Sequence, residues 1–241
     1  MKENQQAAPS GGVLTISTED LNKLEKEILP IDPFLFTEKT KSKDIERLCK
    51  QLREDGVIGF DTETKPTFRK GIHYPVALLQ LSNSTTVVLV RLIRIKDFGA
   101  PKWAPLRRLL ASYRVLKVGV GINDDSLGLE KDYGLVTNNT LDLRALAKAD
   151  GMDVLSLTKV YSLLFGKRLS KGQRLSDWER PELTPAQMQY AGLDAYAGYK
   201  IFEKLKHLKT DGMVTKKLRK TESRKARQSP RGETRIFKKN V

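Results

Sequence analysis

The alternation of apolar and polar positions divides the chain into short elements of two kinds. After a polar stretch over residues 1–12, Ser17, Thr18, Glu19 and Asp20 have the form of a helix start. Leu21, Leu24 and Ile28 follow at helical spacing and Pro30 closes the run, which predicts a short helix in an N-terminal arm, 1–35. Ile45, Leu48 and Leu52 mark one face of a second helix over 42–53, with Gly56 beyond its end. At 57–63 the pattern changes, and Val57, Ile58 and Phe60 supply the β-branched and aromatic content of an interior strand. Apolar runs at 76–82 and 86–92, separated by the polar turn Asn83-Ser84-Thr85, predict an antiparallel meander. A short helix is expected over 105–111. A strand over 115–122 leads into Asn123-Asp124-Asp125 and a helix through Tyr133, and a short strand at 140–143 runs into a helix at 144–148. Residues 155–165 are amphipathic and capped by Gly166. A polar connector holding Trp178 precedes Thr184 and Pro185, a good N-cap and first helical residue for a long helix to about Leu208. No internal repeat interrupts this order. Antiparallel strands first, then strand–helix alternation, predict an α/β fold with a mixed sheet flanked by α-helices.

Carboxylates recur where these elements end. Asp61 and Glu63 are two apart, so on a continuing strand both side chains leave from one face. Two acids so placed repel each other unless a cation lies between them. The same stretch also reads as a strand running out into a solvated acidic turn. Asp124 and Asp125 follow a run with two glycines, Gly119 and Gly121, which points to backbone passing close to another group. Either Asp could instead cap the following helix. Tyr190 and Asp194 share one face of the last helix, among the small residues Ala191, Gly192, Ala195, Ala197 and Gly198. Glycine inside a helix costs about 1 kcal/mol relative to alanine. Two of them imply close packing on the sheet, which would bring Asp194 toward the other acids.

Composition narrows the chemistry. A chain of 241 residues, 39% hydrophobic and 30% charged, fits one soluble core with polar appendages. No apolar run approaches the roughly 20 residues of a membrane helix, and the N-terminus has no signal-peptide core, so neither a membrane partner nor secretion is expected. Cys49 is the only cysteine, which fits a reducing compartment. With His73 and His207 the only histidines, a structural zinc site is nearly excluded, and any metal must be held by oxygen, favouring Mg²⁺ or Mn²⁺. The net charge of +15 points to a polyanionic partner, nucleic acid before membrane. Residues 209–241 hold twelve Lys and Arg against Asp211, Glu222 and Glu233, a local charge of +9 that leaves +6 on the other 208 residues. This basic tail reads as a nucleic-acid contact or, in a eukaryote, as a nuclear address; in a bacterium the protein is expected in the cytoplasm.

Taken together, Gly59-Phe60-Asp61-Thr62-Glu63, Val120-Gly121-Ile122-Asn123-Asp124-Asp125, and the stretch from Leu183 through Tyr190 and Asp194 to Gly198 resemble three motifs of one family. They are those of the DEDDy 3′–5′ exonucleases, the family of ribonuclease D and of the Werner syndrome protein exonuclease domain. Leu175-Ser176-Asp177-Trp178 is similar to the connector these proteins carry before the last helix. The resemblance spans 36–208 and implies a ribonuclease H-like exonuclease domain between the arm and the tail. It further implies hydrolysis of the terminal phosphodiester of a DNA or RNA 3′ end with two divalent ions, Mg²⁺ or Mn²⁺. By resemblance, Asp61 bridges both metals, Glu63 and Asp194 complete the nucleophile-side site, and Asp125 holds the leaving-group-side metal. Asp125 rather than Asp124 matches the family position after the Gly–Ile pair, and Tyr190 would orient the attacking water. Lys65, Arg69, Lys70, Lys171 and Arg174 are candidates for holding backbone phosphates, each equally readable as an ordinary exposed cation. The rival expectation is a catalytically inactive nucleic-acid-binding module of the same fold; protein partners are not indicated.

Overall fold

The computed structural model describes residues 14–69, 71–153 and 156–207. Its centre is a six-stranded sheet: β1 (Phe34–Phe36), β2 (Val57–Thr64), β3 (Val76–Ser82), β4 (Val87–Val90), β5 (Leu116–Gly119) and β6 (Thr140–Asp142), in the spatial order β1-β4-β3-β2-β5-β6. β2, β3 and β4 form the expected antiparallel meander, and β1, β5 and β6 join as parallel neighbours. β3 is buried along its whole length, as an unbroken apolar run covered on both faces must be.

The described residues form seven α-helices: α1 (Thr18–Lys23), α2 (Ser42–Gln51), α3 (Ala104–Leu110), α4 (Ile122–Tyr133), α5 (Leu143–Ala149), α6 (Leu157–Phe165) and α7 (Pro185–Leu205). On one face α2, α3 and α4 close a core around Phe36, Ile58, Phe60, Leu79, Leu81 and Trp103. On the other, α7 lies across β2, β3, β4 and β5, with α5 and α6 beside it. α7 starts where its sequence requires: the Thr184 side chain accepts from the Gln187 backbone N–H, and the Gln187 side chain accepts from Thr184 in return.

Close approach fixes the seat of α7. A Cβ on Gly59 would stand 1.8 Å from the Ala195 carbonyl oxygen, so only glycine lets the helix backbone lie against β2. Gly119, the last residue of β5, is as tight against β2, since a Cβ there would stand 2.4 Å from the Phe60 carbonyl oxygen.

Three expectations need correction. The first helix ends at Lys23 instead of reaching Pro30, because residues 25–27 leave it to pair with Arg168. Ile28, placed on its buried face by spacing, is 72% exposed, while Leu29 enters the core. The 86–92 run is a strand only to Val90; Leu92 to Arg94 form a 3₁₀ turn. The third concerns α4, which is capped by Gly121 in the left-handed conformation (φ 79°) rather than by an aspartate, so Asp124 and Asp125 stand within its first turn. β1 had no forecast. Lys70, residues 1–13 and the basic tail 209–241 lie outside the described residues.

Candidate active site

The two acids of the first motif are set by β2. They sit on alternate residues near its C-terminal end, beyond its pairing with β5 but still paired with β3, and both side chains are half-buried. Thr62 points the opposite way and bridges to the second motif: its hydroxyl donates to Asp125 Oδ1 at 2.5 Å, and its backbone N–H donates to Asp61 Oδ1 at 2.9 Å. α4 supplies Asp125 because its N-terminus follows directly from β5, the parallel neighbour of β2. Asp124 stays exposed on the helix surface. From the opposite layer α7 presents Asp194, 9% exposed, and Tyr190 one turn earlier.

Electrostatics shows how near these groups stand. Burial first, then the charges of Asp194, Asp125 and Glu63, push Asp61 well above the usual carboxylate range. Glu63 rises to about 9 by burial and by Asp194 and Asp125, with Arg174 the one opposing charge. Burial pushes Asp194 up to about 7 against the Tyr190 hydroxyl, which hydrogen-bonds to it. Asp125 rises to about 6, again chiefly by burial, against its bond to Thr62. Tyr190 is pushed up by burial and then by the charges of Asp194, Glu63 and Asp61, so it stays a protonated phenol.

Asp61 and Asp194 on the cleft wall, with Glu63 and Asp125 next to it, offer only oxygen donors, a set that suits a hard divalent cation. Among the described residues no three acidic, histidine or cysteine side chains close on one point at ligating distance. One oxygen of Asp125 is engaged by Thr62.

The five basic candidates separate. Lys171 and Arg174 line the cleft of about 180 Å³ that holds Asp61, Tyr190 and Asp194. Lys65 is occupied: its ammonium pairs with Asp177 at 3.5 Å and Glu179 at 3.4 Å, tying the end of β2 to the connector before α7. Arg69 is exposed in the loop after β2. The sequence reading missed Thr62, whose role depends on a partner 63 residues away. It also missed Ser156, Leu157 and Thr158, which bring the start of α6 to the cleft wall. The Ser156 side chain caps α6, a signal visible in the sequence.

Acids from one central strand, β2, and two helices, α4 and α7, thus gather at the C-terminal end of β2 in a mixed sheet flanked by helices, the ribonuclease H-like arrangement of fold. The family model for 3′–5′ exonuclease matches residues 36–208, and the chain belongs to that family. It is 38% identical over 152 residues to Exonuclease 3′-5′ domain-containing protein 2 of Drosophila melanogaster, covering 62% of this chain and 25% of that protein. It is 35% identical over 162 residues to a 3′-5′ exonuclease of Arabidopsis thaliana, covering 64% and 55%. The chain thus spans about a quarter to about half the length of these relatives. The crystal structure of Escherichia coli RNase D superposes with a TM-score of 0.65 at 21% identity over 81% of this chain and 50% of that one, a likeness of fold.

Proposed function

We propose that the chain is a metal-dependent 3′–5′ exonuclease that removes nucleoside monophosphates one at a time from the 3′ end of a nucleic acid strand. The observation that carries this reading is geometric: Asp61 of β2 lines one cleft with Asp194 and Tyr190 of α7, and the neighbouring Thr62 is hydrogen-bonded to Asp125 of α4.

Asp61, Glu63 and Asp194 would hold one divalent ion, and Asp61 with Asp125 the other. Such ions, when bound, neutralise the scissile phosphate and favour hydroxide over water near neutral pH. Tyr190 keeps its proton, so its hydroxyl orients the attacking water by hydrogen bonding rather than acting as the base. Lys171 and Arg174, on the cleft wall, hold phosphate oxygens and set the strand in line with the acids. Lys65, already bound to two acids, fixes the connector instead. The +9 of residues 209–241 acts as a sequence-independent tether for the polyanion.

The test is a time course on matched 3′- and 5′-labelled DNA and RNA oligonucleotides in Mg²⁺ and Mn²⁺. A ladder shortening stepwise from the 3′ end is expected, abolished by EDTA and by Asp61→Ala. Tyr190→Phe should slow it by about 10²-fold, in the range of one positioned proton-handling group. Binding without shortening of either polymer, unchanged by Asp61→Ala, would leave a binding module in place of an enzyme.

A further inference from the structure

A second depression opens on the same edge of the sheet as the cleft, two strands away, and the exonuclease chemistry leaves it without a role. Its volume is about 590 Å³, within the roughly 300–1,000 Å³ typical of small-molecule pockets. Sheet register fixes where it stands. Glu63 pairs with Leu78 and Leu79 pairs with Val90, so Arg91, one residue beyond β4, stands level with Glu63. Two strand spacings separate their backbones, roughly 10 Å.

The pocket is built around a buried cation. Arg91 is 2% exposed, its Nη2 donates to the Arg180 carbonyl at 2.6 Å, and its Nε has no partner. Among the described residues it forms no ion pair; the charge that acts on it is a like one, Arg94, which lines the same pocket. A guanidinium taken out of water without an anion is unfavourable, and a fold can retain one where an anion arrives. Of the two acids at the rim, Glu38 is already paired with Lys102, which leaves Glu182. The lining also has an apolar part: Leu35, Leu183 and Met188. Two guanidinium groups and the ammonium of Lys39 share the lining with three aliphatic side chains, a mixture that suits a phosphate joined to a flat heterocycle, with Glu182 available to accept from its amino or hydroxyl groups.

We propose that this pocket holds a nucleotide, its phosphate against Arg91 and Arg94 and its base against Leu35, Leu183 and Met188. The proposal rests on the exonuclease reading. A strand with its 3′ end at Asp61 reaches the pocket by passing over the connector that Lys65, Arg91 and Arg94 hold. The direct roughly 10 Å, about three nucleotides at about 3.4 Å each, is therefore the shortest span. A free mononucleotide offers the same chemistry, so the two sources must be separated.

The rate of 3′ shortening would be measured for oligonucleotides from two to ten residues with the full chain, Arg91→Met and Arg94→Ala. Arg94 is exposed, so its variant serves even if Arg91→Met fails to fold, which thermal unfolding would show. For the unaltered chain kcat/KM should rise with length over the first four or so nucleotides. Each variant should lose about tenfold of that rise, the size of one charge-assisted hydrogen bond, with the dinucleotide as the reference too short to reach. Calorimetric titration of adenosine 5′-monophosphate in EDTA is the second arm. A tenfold weakening there with an unchanged length series would assign the pocket to free nucleotide. Variants equal to the unaltered chain in both arms, or slowed equally at every length, overturn the proposal. If the unaltered chain shortens nothing, the exonuclease reading fails instead, and anisotropy of a labelled ten-mer in EDTA still reports whether Arg94→Ala weakens binding.

Discussion

At the scale of single residues the acidic cluster makes stability depend on pH in an unusual direction. Free carboxylates ionise near pH 4. Here Asp125, Asp194 and Glu63 hold their protons to about 6, 7 and 9, and Asp61 is also raised. Between about pH 4 and 9 the folded state therefore binds protons that the unfolded chain has released, and the slope of stability with pH is negative. In EDTA the unfolding midpoint should fall as pH rises through this window. At pH 8, Mg²⁺ or Mn²⁺ should restore it by binding the folded state alone. Asp61→Asn should raise the midpoint in EDTA at pH 8 and blunt the response to the ions. Thermal unfolding at five pH values, with and without the ions, checks all three; a flat profile in EDTA would mean the charges are already balanced within the chain. The acids could be singled out in the sequence because each stands near a strand end or on one face of a helix and because together they resemble the exonuclease motifs. Their supports were not. Nothing local marks Thr62 as the partner of Asp125, or Lys65 as bound to Asp177 and Glu179.

At the scale of elements the site depends on how closely α7 approaches β2. A methyl group on Gly59 meets backbone, the Ala195 carbonyl oxygen at 1.8 Å and the Tyr199 N–H at 2.8 Å, and backbone cannot swing aside. On Gly192 it meets the end of a side chain, Leu29 Cδ2 at 2.6 Å, which can rotate. Gly59→Ala should cost about 3 kcal/mol, at the upper end for overpacking, and should displace Asp194 from Asp61, so activity falls further than stability. Gly192→Ala also gains about 1 kcal/mol of helix propensity, so its net effect should lie within about 1 kcal/mol of zero. Urea unfolding beside the 3′-shortening rate distinguishes them; equal effects would refute the backbone contact as the cause. The same contrast explains what the hydrophobic pattern revealed. β2, β3 and β5 are apolar runs long enough to read, and Thr184 with Pro185 announces α7. β1 is three residues long and exists by pairing with β4, some 50 residues later. α1 stops short because residues 25–27 find a partner at Arg168, a competition that no local spacing records.

At the scale of the whole molecule, charge and fold divide the work of binding. The fold offers few cations at the cleft, Lys171 and Arg174, because Lys65 is spent on the connector. Sequence alone places +9 in residues 209–241 against +6 in everything before them. Neutralising phosphates releases condensed counterions, so each contact adds about 0.7 to the slope of log affinity against log salt on a single strand. Removing residues 209–241 should therefore lower affinity most at low salt and flatten that slope by several units. The turnover number at saturating substrate should persist, since the acids and Tyr190 lie within 61–194. Anisotropy with a labelled single strand between 50 and 300 mM salt measures the slope, and single-turnover shortening measures the chemistry. An unchanged slope would mean that the phosphates are held by the body instead, at the cleft and along the sheet edge toward Arg94. Loss of cleavage at saturating strand would mean that the tail takes part in building the site, and the separation of tether from chemistry would fail.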